Sequence, residues 1–168
     1  VGQPTMNHWL KPLFAGHAVE TQCDIQSIYG APGKWYLASV DGVHGPFDWV
    51  LSSAPLTQTQ ALFADFNFDL TARYQAGFTL LCQMTFSPSW DRAVCQDAVV
   101  AELILSGRRP GRHHPNTLVV HAQDQWASEQ IASEPAMVEQ TLRRAAETLL
   151  NTDFDSAKLH RWRDASVI

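Results

Sequence analysis

Two residues carry most of the chemistry open to this chain. His121 sits inside the apolar run Thr117-Leu118-Val119-Val120-His121-Ala122, on the opposite face from Val120. An uncharged imidazole set into such a strand can orient a polar substrate group in a ligand pocket. The plainer alternative is a core or edge histidine satisfied by one hydrogen bond. Trp162 lies in the alternating segment from Lys158 to Arg163, which puts His160 and Trp162 on one face and Leu159 and Arg161 on the other. A flat aromatic ligand stacked on that indole, with its phosphate on Arg161 or Arg163, is physically sensible. A strand simply packed on a helix is the competing reading.

Other chemistries find less support. Arg108-Arg109-Pro110-Gly111-Arg112-His113-His114 is a basic loop in a chain of net charge −5; it reads either as a contact for an anionic ligand or as a solvated turn. The overall acidity gives nucleic acid little to bind. No G-x-G-x-x-G is present, because Gly30 with Gly33 and Gly107 with Gly111 have the wrong spacing for a dinucleotide pyrophosphate. A G-x-S-x-G elbow and an H-E-x-x-H pair are also missing. Adjacent His113 and His114 point opposite ways on an extended segment, and Cys23, Cys82 and Cys95 are an odd, scattered set. Neither pattern suggests a metal site or a disulfide framework, so no metal is expected. Cys82 lies among apolar neighbours and reads as core. Reduced thiols, no apolar run of bilayer length and no secretory leader suggest a cytoplasmic protein that is not membrane-bound. The first residue is Val, which fits an excised segment or a processed chain.

The elements that must position these residues follow from periodicity. Trp9, Leu10, Leu13 and Phe14 recur at helical spacing before Gly16. Residues 18–29 and Trp35 to Val40 read as extended, and Asp41-Gly42 signals a hairpin. Phe47 to Leu51 reads as a buried strand ending in Ser52-Ser53-Ala54-Pro55. Thr57 to Phe63 reads as a short helix capped by Thr57. Phe78, Leu80, Cys82, Met84 and Phe86 alternate with Gly77, Thr79, Gln83 and Thr85, giving the clearest strand. Residues 98–105 read as a strand or a buried helix, and 117–122 as a further strand. A short helix begins near Asp124. A longer one follows Ser133 as cap, with Met137, Val138, Leu142, Ala145, Ala146 and Leu149 as its apolar stripe. Hairpin-linked strands with inserted helices predict an α+β fold, a mostly antiparallel sheet with helices on one face, and one domain over 1–168.

An ordered set of motifs resembles the substrate-binding domain of renalase-like flavoproteins, a flavin-containing amine oxidase group. The set runs from Val1-Gly2-x-Pro4-x-Met6, through Gly33-Lys34-Trp35-Tyr36-Leu37 with Asp41-Gly42, to Gly45-Pro46-Phe47-Asp48-Trp49-Val50 and Ala54-Pro55. It continues with Ser106 to Arg112, Val120-His121-Ala122 before Trp126-Ala127, and His160-Arg161-Trp162-Arg163. The resemblance implies a parent FAD-dependent oxidoreductase whose FAD-binding segments are absent at both ends of this chain. Such a protein would pass a hydride from a dihydronicotinamide-type or amine substrate to flavin and on to oxygen. By resemblance, Gly2, Met6, Ile25, Ala54, Pro55 and Trp162 lie nearest the flavin, while His121 and Arg112 face the substrate. This segment alone is then expected to be inactive, colourless and free of bound FAD, and prone to self-association through an exposed sheet face. Its partners would be the missing FAD-binding half and a small-molecule substrate. Asp164 stands where the family often has an aromatic residue, which leaves the substrate open. The alternative is a non-catalytic α+β module that binds a small molecule or a protein.

Overall fold

The computed structural model describes residues 8, 10–66, 71–109 and 116–168. Its chain contacts separate into two compact units, Val1–Leu13 with Arg73–Ile168, and Phe14–Ala72. Both sheets are antiparallel, and the fold class is α+β. Among the described residues, no helix is long and apolar enough to cross a membrane.

The smaller unit is a three-stranded meander of β1 (Ile25–Ala31), β2 (Lys34–Ser39) and β3 (Gly42–Phe47), followed by helix α1 (Leu56–Leu62). The expected hairpin forms: Ser39 pairs with Gly42, and Val40 and Asp41 make the turn. Gly30 opens the first turn at φ +124°, where an added Cβ would lie 2.2 Å from the Lys34 carbonyl oxygen, so only glycine fits. Trp35, Phe63 and Phe66 cluster edge to face or tilted, with ring centroids 5.2 to 6.1 Å apart.

Phe47 to Leu51 is not a buried strand. β3 ends at Phe47, whose partner is Trp35, and β2 begins only one residue before that; past Phe47 the turn offers only the Gly33 N–H, which donates to the Asp48 carbonyl at 3.3 Å, and among the described residues no ladder continues. Trp49 and Leu51 are accordingly 84% and 93% exposed. Thr57 lies within α1 instead of capping it; Pro55 is the N-cap and makes no side-chain bond.

The larger unit is a five-stranded sheet in the order β5-β6-β7-β4-β8. Its strands are β4 (Tyr74–Gln83), β5 (Arg92–Val94), β6 (Val100–Leu105), β7 (Thr117–Ala122) and β8 (Ser156–Val167). Two helices, α2 (Asp124–Gln130) and α3 (Pro135–Leu150), are inserted between β7 and β8. Alternation sends Phe78, Leu80 and Cys82 of β4 and Leu118, Val120 and Ala122 of β7 to one face, where they meet Val138, Leu142 and Ala146 of α3. Burial of these side chains from water is the main force holding helices to sheet. Cys82 is 2% exposed, and burial pushes its thiol pKa up to about 12 against a smaller lowering by Arg143.

α3 starts with Pro135 in its first turn after Glu134, and Asn151 closes it in the left-handed region at φ 49°. Ser133 is not its cap; that hydroxyl donates to Gln130 Oε1 at 2.9 Å. The predicted stripe is narrower than drawn, since Met137 and Leu149 are exposed.

Candidate functional site

The other face of the large sheet carries the chemistry. Within this unit, and among the described residues, no helix covers it. The pairings Thr79 with His121, Thr79 with His160, and Gly77 with Trp162 place four polar or aromatic side chains around the exposed side of β4. His121 and Trp162, 41 positions apart in sequence but each one strand from β4, therefore share one surface.

A hydrogen-bonded chain joins them. Trp162 Nε1 donates to Thr79 Oγ1 at 3.1 Å, and Thr79 Oγ1 lies 3.2 Å from His121 Nδ1. The indole N–H can only donate, so it takes a lone pair of the hydroxyl. Placing the hydroxyl hydrogen on Nδ1 satisfies all three groups at once, which assigns the imidazole tautomer with its proton on Nε2. Burial pushes the His121 pKa below its ordinary value, so the neutral ring is the resting form near pH 7. Among the described residues Nε2 has no hydrogen-bond partner, so its N–H is available to a ligand. Thr79 is itself buried, at 8% exposure, which keeps water from competing for its hydroxyl.

Thr79, His121 and Trp162 line a cavity of about 540 Å³, together with Gly77, Ala165, Glu102 and Asp124. That size suits a small-molecule site. Gly77 sets the shape of the floor. The register between β4 and β8 shifts between Gln75 and Gly77, so that Gln75 pairs with Ser166 and Gly77 with Trp162. The slack in β8 brings Ala165 so close that a Cβ on residue 77 would meet its methyl at 3.0 Å. His160 packs edge-on against Trp162 with ring centroids 4.1 Å apart and holds the half-exposed indole in place. Glu102 is paired with Arg92 and so brings little free charge to the wall.

The arginines behave differently from the sequence reading. Arg161 does not flank a phosphate site. Its guanidinium turns to the helix side, where it donates to the carbonyls of Ile131 and Ser133 at 3.2 and 3.3 Å and lies 6.0 Å from the Phe78 ring centroid. The unsatisfied carbonyls after α2 are stronger partners than an empty face. Arg108 of the basic loop is also held, by Asp91 at 3.4 Å, by the Ser87 hydroxyl at 2.9 Å and by the Pro88 carbonyl. Arg112, Gly2 and Met6 lie outside the described residues. Ile25, which opens β1, and Ala54 and Pro55, which precede α1, belong to the smaller unit.

Sequence reasoning missed Thr79, the hub of the chain, and Gly77. Both stood on the polar side of the clearest strand, but nothing in the order of residues announces a bond from position 79 to positions 121 and 162. The smaller unit also gathers Glu20, Cys23 and His44, whose ligand atoms lie within 4.8 Å of one another.

No protein family and no curated protein matches this chain by sequence. Solved structures do match its fold. A "putative protoporphyrinogen oxidase" from Exiguobacterium sp. 255-15 aligns with a TM-score of 0.70 at 12% identity, over 96% of this chain and 39% of that one. A CLA-producing fatty acid isomerase from P. acnes aligns with a TM-score of 0.62 at 12% identity, over 88% of this chain and 36% of that one. The chain thus spans less than two-fifths of either protein, and the likeness is one of fold.

Proposed function

We propose that this chain is the substrate-side part of a flavin-dependent oxidoreductase, and that the face around Thr79, His121 and Trp162 holds a flat redox ring and its substrate. The observation that carries the reading is the Trp162–Thr79–His121 chain on the wall of a small-molecule cavity. The fold likeness to a protein described as an oxidase supports the oxidoreductase class. The substrate class, a dihydronicotinamide or an amine, rests on the motif resemblance alone.

The residues present fit a ring better than a whole dinucleotide. Gly77 lets Ala165 approach closely, and Trp162 offers a half-exposed indole beside it. No described strand-to-helix turn carries the glycines that a pyrophosphate needs, so the rest of FAD would be held by a further part of the parent protein. When bound, a flavin supplies the hydride acceptor. The work of this chain is then to orient. The Nε2–H of neutral His121 donates to a substrate carbonyl, Thr79 locks the ring that does so, and Trp162 with Gly77 keeps water from the reacting face. No group here need remove a proton. The motif resemblance alone assigns Gly2, Met6, Ile25, Ala54 and Pro55 to the flavin and Arg112 to an anionic group of the substrate. The parent acts in the cytoplasm, and the present chain self-associates where its FAD-binding half would dock.

The test is expression of the longer reading frame around this chain. The purified protein is expected to be yellow and to form peroxide from a dihydronicotinamide. His121→Ala should lower kcat/KM by about tenfold or more, since one hydrogen bond in a water-poor site is worth about 1–3 kcal/mol. A colourless parent that neither binds nor reduces flavin would overturn the proposal.

A further inference from the structure

Glu20, Cys23 and His44 lie outside the sheet face described above, and the oxidoreductase reading gives them no task. We propose that they form a binding site for a borderline-soft divalent cation of the zinc class. Cys23 Sγ and His44 Nε2 are 3.6 Å apart. Neighbouring corners of a zinc tetrahedron, with Zn–S of about 2.3 Å and Zn–N of about 2.0–2.1 Å, stand about 3.6 Å apart. The pair is therefore spaced for one ion between them. Glu20 supplies the third donor. Its carboxylate lies 3.4 Å from His44 Nδ1, the ring nitrogen opposite the one facing Cys23, where it orients the imidazole; its two-thirds-exposed side chain turns from there to the ion, since all three ligand atoms fall within 4.8 Å of one another. Thiolate, imidazole and carboxylate together suit zinc, and a fourth position remains for water.

The fold holds the histidine firmly. His44 lies on β3 opposite Leu37. The next residue, Gly45, passes so close to β2 that an added Cβ would meet the Trp35 carbonyl oxygen at 2.6 Å. Ser39 Oγ, 3.2 Å from Nε2, donates to the Gly42 carbonyl at 3.2 Å. It has an alternative partner when Nε2 turns to a metal. Glu20 and Cys23 come from the loop before β1, which bends at Gln22 with φ 61°. Coordination releases the Cys23 thiol proton to solvent, so binding tightens as pH rises.

Cobalt(II) titration of the reduced, metal-free chain tests the site. One equivalent should raise a near-ultraviolet thiolate-to-cobalt band together with strong visible absorption of tetrahedral cobalt, and zinc should displace both. Cys23→Ser should abolish the thiolate band, and Cys95→Ser should leave it intact. His44→Gln and Glu20→Gln should each weaken affinity by at least the roughly 10–100-fold that loss of a supporting partner costs. Circular dichroism of each variant confirms the fold, and Cys23→Ser, at a partly exposed position, is the variant least able to disturb it. No thiolate band in the wild-type chain, or a band that survives Cys23→Ser, would overturn the site.

Discussion

Replacing Thr79 with Val removes one oxygen and tests the hub of the proposed site. Val keeps the branched shape and the strand preference, so the backbone should not respond. Two hydrogen bonds are lost, to Trp162 at 3.1 Å and to His121 at 3.2 Å, each worth about 1 kcal/mol. The indole is half exposed and recovers part of its loss from water, while His121 Nδ1, deeper in the wall, recovers less. The added methyl group faces an open cavity and returns less than the roughly 0.8 kcal/mol of a fully buried one. The net expectation is a destabilisation of about 1–2 kcal/mol, read as a lower urea midpoint with an unchanged slope. A cycle with His121→Phe should show coupling above about 0.5 kcal/mol, as expected for bonded neighbours. A variant as stable as the wild type, with additive double-mutant energies, would refute the chain of bonds and the tautomer derived from it.

Three further outcomes follow from the same geometry. His121 has a folded pKa below its unfolded value near 6.5, so its contribution is complete above that pH and is lost as pH falls toward the folded value, where only the unfolded state takes the proton; pH-dependent unfolding should show this slope, and His121→Gln should remove it. Gly77→Val should fill the cavity floor and abolish small-molecule binding there, followed by tryptophan fluorescence, at a stability cost of about 1–3 kcal/mol from crowding against Ala165. Cys82, buried and with its pKa near 12, should resist a disulfide reagent at pH 8 while the partly exposed Cys23 and Cys95 react, Cys95 slowed because burial and then Asp97 push its thiol pKa up, counted by mass spectrometry before and after unfolding.

The parts of the fold that were legible in the sequence are those written in a single period. β4 declares itself by Phe78, Leu80 and Cys82 at every second position, and α3 by Val138, Leu142 and Ala146 at every fourth. The alternation of β8 placed His160 and Trp162 together, and that of β7 set His121 apart from Val120; both assignments match the observed faces. What stayed hidden depends on register. A period of two says that Arg161 faces away from Trp162, but not that it meets the carbonyls after α2. The apolar stretch from Phe47 to Leu51 looks like a strand because its composition is right, and it fails as one because its pairing with β2 ends at its first residue. The Thr79 bonds arise only when β4 pairs with the distant strands β7 and β8, and the gathering of Glu20, Cys23 and His44 only when the β1–β3 meander closes. Neither has a local spacing to betray it.

In the proposed function the face around Thr79, His121 and Trp162 is the surface that meets the ring. A crystal structure of the longer parent protein with its cofactor would test it most directly. The expected result is an isoalloxazine within van der Waals reach of Gly77 and Trp162, and a substrate carbonyl accepting from His121 Nε2. A ring bound elsewhere, with this face buried under another element of the protein, would contradict it.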